Sequence, residues 1–154
     1  MRKSMTIFIA LAVLVAGGAA WAADTTTVAV SANVVGTCRF SNPGTISFAL
    51  DPSVGTDQAG SITQPRFWCT RNAGYTITDD LGSHESGATF RMQHTTIPAE
   101  FIPYSFTYTA TGTGAGAGAG NLITMNIAST VLGANYVNAA AGDYSDTVSL
   151  SILP

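Results

Sequence analysis

Few residues in this sequence have the types and spacing that catalysis or metal binding requires. The chain holds two histidines, His84 and His94, and His84-Glu85 is not followed by the second histidine of the zinc motif H-E-x-x-H. Glu85 and Glu100 could form a carboxylate pair, but carboxylates scattered in loops are usually solvated surface charges. No G-x-S-x-G sequence marks a hydrolase nucleophile. The sequence therefore predicts no catalytic residue, no metal site and no bound cofactor.

Two other stretches contain residues of types that can bind ligands, but neither has the pattern that a binding site requires. Asp143 and Asp146 lie three residues apart in a turn-like sequence, where a calcium site is conceivable. Turn capping is the favoured interpretation, because one short acidic pair offers too few oxygen ligands. The glycine-alanine run over residues 112–120 cannot cradle a phosphate, since its glycines are spaced only by twos. We expect it to form a flexible hairpin loop between the strands at Tyr104 and Ile123.

The first 22 residues have the pattern of a secretory signal peptide. Two basic residues open it, residues 7–16 form an apolar core, and the sequence AWA at 20–22 supplies a small-x-small cleavage site. A membrane anchor is the alternative, but the apolar run is shorter than the roughly 20 residues that a span needs. We expect an exported mature chain of residues 23–154, the length of one domain.

The predicted mature chain is acidic and carries few charges. Charged residues make up 10% of the sequence, against roughly 25% in ordinary globular domains. Removing the signal leaves four arginines, no lysine and all nine acidic residues, which gives a net charge of −5. Binding to phosphate backbones needs clustered basic side chains, which the sequence lacks. Nucleic acid is therefore excluded as a partner.

Both cysteines, Cys38 and Cys69, fall in the exported part of the chain. In an exported protein, two cysteines are expected to form one disulfide. A two-cysteine metal site is the alternative, but no histidine or further cysteine lies at ligand spacing. Closing a loop of this length should stabilise the fold by roughly 3–4 kcal/mol on the chain-entropy account.

Beyond the signal, short runs of alternating apolar and polar residues recur every 8 to 15 residues, separated by Gly, Pro, Asn and Asp. This pattern predicts an all-β antiparallel sandwich. Pro65 interrupts one of the runs, which indicates an edge position or a bulge there. Strands are expected at residues 45–50, 62–70, 75–77, 88–92, 104–109, 123–127 and 144–153.

An eleven-residue alternating segment, residues 25–35, precedes the first cysteine. It contains no proline, glycine or charge, so it can pair along its whole length with its own sheet or with a neighbour's. An ordinary first strand of a sandwich is the alternative. On an extended strand, four apolar residues would share one face: Val28, Val30, Ala32 and Val34.

Several of these features occur together, and in this order, in a known family. VGTC ends the alternating segment at residues 35–38, and FWCT follows at 67–70 with the second cysteine. GYTI comes next at 74–77, and AGDYSDTV at 141–148 runs into the last strand. The mature chain thus resembles the spore coat protein U family, the secreted subunits of archaic (alternative) chaperone–usher pili.

The resemblance implies an incomplete immunoglobulin-like antiparallel β-sandwich, the pilin fold, whose missing last strand leaves an apolar groove. A periplasmic chaperone would fill this groove first, and the N-terminal donor strand of an identical or related subunit would replace it at the outer-membrane usher. Residues 25–35 would be the donor strand of this chain. The sequence ends at Pro154, so no later segment is expected to complete the sandwich. The last strand would form the groove edge through Val148, Leu150 and Ile152.

The favoured function is a structural subunit that passes through the periplasm and polymerises at the cell surface. A tip adhesin with an extra binding domain is disfavoured, because the mature chain holds only one domain. The alternative is a monomeric secreted coat, matrix or surface-binding sandwich, which would pair residues 25–35 within its own sheet. A secreted enzyme is the third class, and the lack of a triad or metal set counts against it.

Overall fold

The computed structural model describes residues 23–154. The predicted signal peptide lies outside the described residues. Over 23–154 the chain forms thirteen short strands, no α-helix and two single 3₁₀ turns, Ala119–Asn121 and Gly133–Asn135. No helix in this part of the chain is long and apolar enough to cross a membrane. The strands are β1 (Cys38–Asn42), β2 (Thr45–Ser47), β3 (Gln58–Ala59), β4 (Ser61–Thr63), β5 (Arg66–Cys69), β6 (Gly74–Asp79), β7 (Phe90–His94), β8 (Phe101–Thr107), β9 (Thr111–Thr113), β10 (Ile123–Thr124), β11 (Ala128–Val131), β12 (Tyr144–Ser145) and β13 (Leu150–Leu153).

All the strands pair antiparallel across the described residues, in four small sheets. The largest has the order β12-β7-β8-β11-β3. Two three-stranded sheets have the orders β1-β5-β10 and β13-β6-β9, and β2 pairs with β4 alone. The compact unit that contains them is Val34–Pro154. Residues 23–33 belong to no helix, strand or turn and are exposed.

The core explains why these alternating runs form a sandwich. One cluster of buried side chains comes from β5, β6 and the segment after β10: Phe67, Cys69, Ile77, Met125 and Ile127. Phe106 of β8 packs against this cluster, so the five-stranded sheet covers the face that β5 and β6 present. A second cluster joins β8 and β11 to the loop beyond β11: Ile102, Val131 and Tyr136. Inward apolar residues thus alternate with outward polar ones on both layers.

The predicted all-β antiparallel class is confirmed, and the sheets are consistent with the incomplete immunoglobulin-like sandwich that the resemblance implies. Strands lie within or across all seven of the predicted segments. The break predicted at Pro65 separates β4 from β5. Four strands lie outside the predicted segments: β1, β3, β9 and β11. Among them, β11 has the sequence ASTV, which carries too few apolar residues to signal burial. The predicted strand at 144–153 is two strands, because the chain passes from one sheet to another between β12 and β13.

The prediction for the glycine-alanine run is wrong. Residues 112–120 do not link a hairpin: β8 pairs with β7 and β11, and β10 pairs with β5. The run begins inside β9, which pairs with β6, and Gly112 lies opposite Tyr75. The remainder packs across the turn that follows β5, where Gly114 donates to the Ala73 carbonyl at 2.8 Å and Gly116 donates to the Cys69 carbonyl at 3.0 Å.

Close packing accounts for glycine in this run. A Cβ on Gly114 would overlap the carbonyl oxygen of Thr70, and one on Gly112 would overlap the hydroxyl of Tyr75. Gly116 has φ of 133°, a conformation that other residues adopt at a cost. Composition suggested flexibility here, whereas the glycines permit a tight backbone contact.

Candidate functional site

An open groove of about 440 Å³ lies on the sandwich. One side is formed by the β2–β4 pair, and the other by the segment that runs from β12 to the start of β13. The lining is largely apolar, and it includes side chains of the strands on the groove floor. The apolar lining residues are Ile46, Phe48, Ile62, Met92, Phe106, Ile127, Val148 and Leu150.

Both sides of the groove present strand edges that lack a neighbour within the described chain. β12 and β13 are terminal strands of their sheets, pairing only with β7 and β6 respectively. On the opposite side, β2 pairs only with β4. An apolar cleft between two free edges can take up an additional strand through main-chain hydrogen bonds and side-chain burial.

The segment from Tyr144 to Leu153, called the last strand, turns the same face inward along both β12 and β13. Tyr144, Asp146, Val148, Leu150 and Ile152 are partly buried, and the residues between them are exposed. Val148 and Leu150 line the groove, whereas Ile152 packs against the first core cluster. The structure therefore brings two of the three predicted groove-edge residues to the groove.

Asp146 directly follows β12, where the chain stops pairing with β7. Its side chain is only 3% exposed, and its Oδ2 accepts a hydrogen bond from the Tyr104 hydroxyl at 2.7 Å. Its Oδ1 accepts from the Ser83 backbone N–H at 2.9 Å and lies 3.2 Å from Nδ1 of His84. Burial, followed by the hydrogen bond to Asp146, raises the pKa of Tyr104 above its usual value. The carboxylate therefore links the last strand to β8 and to the loop after β6.

The acidic pair at the end of β6 makes similar links. Asp79 accepts a hydrogen bond from the Tyr108 hydroxyl at 2.7 Å. Burial and that bond raise the pKa of Tyr108 to about 12. Asp80 accepts from the backbone N–H of Ser149 at 2.9 Å, and its hydrogen bonds with Ser149 lower the pKa of the carboxyl. Asp80 therefore holds the last strand at Ser149, and Asp79 links the end of β6 to Tyr108.

His94 is a buried structural residue at the end of β7. Its Nδ1 accepts from the backbone N–H groups of Thr96 and Ile97, both at 3.1 Å. The proton must therefore lie on Nε2, which donates to the Ala141 carbonyl at 3.2 Å. Gly142 packs directly on the imidazole, where a Cβ would overlap the ring. The Ala-Gly pair of the terminal motif thus fixes the start of the last strand.

Both histidines bond to neighbouring groups within the fold. His84 pairs with Asp146, and both ring nitrogens of His94 bond to backbone groups. Within residues 23–154, no group of three or more His, Cys, Asp or Glu side chains could hold a metal ion. The carboxylate of Asp146 caps a distant loop and not a local turn.

The predicted disulfide is confirmed. Cys38 and Cys69 lie directly opposite each other on β1 and β5. Their sulfurs are joined, with a Cα–Cα distance of 4.1 Å. The bond closes a loop with a sequence separation of 31 residues, for which the chain-entropy account gives about 3–4 kcal/mol.

Residues 25–35 form no strand. Val28 is 82% exposed, Val30 90% and Val34 81%, and Ala32 is also exposed. Large apolar side chains are rarely this exposed in a contiguous segment without a binding role. That this alternating segment forms a strand when it binds a partner stays a prediction.

The family model for the Spore Coat Protein U domain matches residues 24–151. The chain belongs to this family. No curated protein matches the sequence. Among solved structures, one similar chain belongs to the chaperone–tip adhesion subunit pre-assembly complex CsuC–CsuE from the archaic chaperone–usher Csu pili of Acinetobacter baumannii. It has 16% sequence identity and a TM-score of 0.47, and the alignment covers 77% of this chain and 40% of that one. A likeness of that size does not establish a common fold.

Proposed function

We propose that this Spore Coat Protein U domain protein is a secreted structural subunit of a chaperone–usher pilus. Subunits polymerise by donor-strand exchange, in which residues 25–35 of one copy fill the groove of the next. A periplasmic chaperone occupies the groove during transit, and an outer-membrane usher is the site of exchange. The role is structural, with no reaction and no cofactor.

The observation that carries this proposal is the groove between two free strand edges. Its floor contains Phe106 and Ile127, which a complete sandwich would cover with one further strand. An apolar groove of this kind in an exported subunit favours strand uptake over small-ligand binding. Most of its polar lining residues lie along the two sides, Thr45 and Thr63 on one and Ser145, Asp146 and Thr147 on the other, whereas a specific small-molecule site needs polar groups that converge on one ligand.

The dimensions of the proposed donor match those of the groove edge. The four apolar residues from Val28 to Val34 span seven positions, about 20 Å in an extended strand. The groove-lining part of the last strand, from Tyr144 to Leu150, also spans seven positions. Ala32 is the smallest of the four side chains on the donor face. Its position would therefore distinguish one register of the donor strand in the groove from another.

A denaturing gel run without and with boiling tests polymerisation. The chain is exported together with its chaperone and usher, beside a variant that lacks residues 25–35. We expect the unboiled full-length protein to run as a ladder that collapses to one band on boiling, and the truncated protein to run as a monomer. A monomer band from folded, unboiled full-length protein would overturn the proposal in favour of a monomeric secreted protein.

A further inference from the structure

The arginines of the described chain divide into two kinds. The guanidinium of Arg91 donates to the backbone carbonyls of residues 84 and 85 at 3.0 and 3.1 Å, and it lies 4.2 Å from the centroid of the Phe101 ring. This arginine supports a loop. The others make no side-chain hydrogen bond or salt bridge with any residue from 23 to 154: Arg39, Arg66 and Arg71.

Strand pairing brings two of these free arginines to one tryptophan. Arg39 of β1 lies directly opposite Trp68 of β5, and Arg66 lies two residues earlier on β5. The neighbouring pair, Phe40 and Phe67, faces the core, so the arginines and the indole face outward. Diagonal neighbours of this kind are about 7–8 Å apart at their backbones, within reach of long side chains.

The face that carries Arg39, Arg66 and Trp68 is held rigid, and its guanidinium donors have no acceptor within residues 23–154. The Cys38–Cys69 disulfide is the next cross-strand pair along from Arg39 and Trp68. Thr124 of β10 lies opposite Arg66 on the other side of β5. Arg39 and Arg66 are exposed and Trp68 is partly exposed, and tryptophan and arginine are both enriched at binding hot spots.

We propose that Arg39, Arg66 and Trp68 form a binding face for acidic polysaccharide, with uronic acid units as the recognised group. The indole stacks on the apolar face of a sugar ring. The guanidinium groups pair with the carboxylates, for which their planar donor fork is suited. This face lies on the outer surface of the β1-β5-β10 sheet, and its binding does not depend on strand exchange.

Other ligand classes fit the face less well. A stable protein interface buries about 800 Å² on each side around an apolar centre, whereas Trp68 is the one large apolar side chain among the outward residues of β1 and β5. Nucleic acid is bound by neutralising a series of backbone phosphates, for which two arginines on one face are too few. A carboxylated sugar needs only one ring platform and one or two guanidinium groups.

Fluorescence titration of the mature protein tests the proposal, because Trp68 is the only tryptophan in residues 23–154. The probe is oligogalacturonate, with its methyl ester as the uncharged control. We expect a saturable fluorescence change with oligogalacturonate and at least tenfold weaker binding to the ester. Arg39→Gln and Arg66→Gln should each weaken binding about tenfold, and Arg71→Gln, which removes the same charge at the turn after β5, less than twofold.

Three results would overturn the site. One is no saturable response to oligogalacturonate from folded protein. Another is equal weakening by Arg71→Gln, which would indicate general charge attraction. The third is self-association in light scattering that Arg39→Gln abolishes, which would assign the face to a second copy of the chain. Thermal melting verifies that each variant folds, and two independent arginine variants keep the test decisive if one does not.

Discussion

We expect replacement of Val30 by aspartate to abolish the ladder of the proposed polymer and to leave the subunit folded. Val30 is 90% exposed, so the substitution removes no contact within the described structure. In the proposed polymer the same side chain enters an apolar groove, where an uncompensated charge costs about 3–5 kcal/mol. Exchange should therefore weaken by about two to four orders of magnitude. The measurement compares unboiled gels of wild-type and Val30→Asp protein, with thermal melting of both.

Ser31→Asp is the matched control, because residue 31 lies on the opposite face of the same strand. It adds the same charge one position away and should retain the ladder. Burying the four apolar side chains would remove about 300–400 Å² of surface, or on the order of 8–10 kcal/mol before ordering costs. Equal loss of assembly in both variants would contradict a one-sided donor strand. Unimpaired assembly of Val30→Asp would contradict its burial.

We expect replacement of Asp146 by alanine to destabilise the folded subunit by about 1–3 kcal/mol. The change leaves the Tyr104 hydroxyl without its acceptor, whereas the exposed Ser83 N–H keeps its bond to the Thr147 carbonyl. Each unsatisfied buried group costs about 1–3 kcal/mol. Because Asp146 also joins the last strand to its neighbours, the groove edge should loosen with it. Urea unfolding with the disulfide intact measures the free-energy difference.

Asp143→Ala is the control for this change, since it removes an aspartate from the same terminal motif. The Asp143 side chain is exposed, and the group there that bonds is its backbone carbonyl, which accepts from Thr95. We expect a change within about 0.5 kcal/mol. Similar losses for both variants would show that general charge, and not the buried hydrogen bonds of Asp146, stabilises the last strand.

Alternation was enough to predict the class of fold, because a strand with one buried face must repeat every two residues. The last strand shows the strength and the limit of this rule. Val148, Leu150 and Ile152 are partly buried on one face of it, and Asp146 lies on that face too. A polar residue in register with an apolar face signals a buried partner. The sequence could not identify Tyr104 as that partner, because the contact spans 42 residues.

The groove floor and the arginine–tryptophan face were not predictable for the same reason. Met92, Phe106 and Ile127 come from different parts of the chain, and strand order alone brings them together. Arg39 and Arg66 are 27 positions apart in sequence and become neighbours only through the β1–β5 register. Local pattern determines which face a residue occupies. Non-local pairing determines what else lies on that face.

Site-specific cross-linking tests the central claim, intermolecular strand exchange, most directly. Cysteine is introduced at one donor-face position, Val28, Val30, Ala32 or Val34, in one chain, and at Val148 in a second chain of different tagged mass. We expect at least one donor-face position to give a reducible mixed dimer, and Ser31→Cys to give none. The account is contradicted if no mixed dimer forms while the two substitutions within a single chain join to each other. Residues 25–35 would then complete their own sandwich.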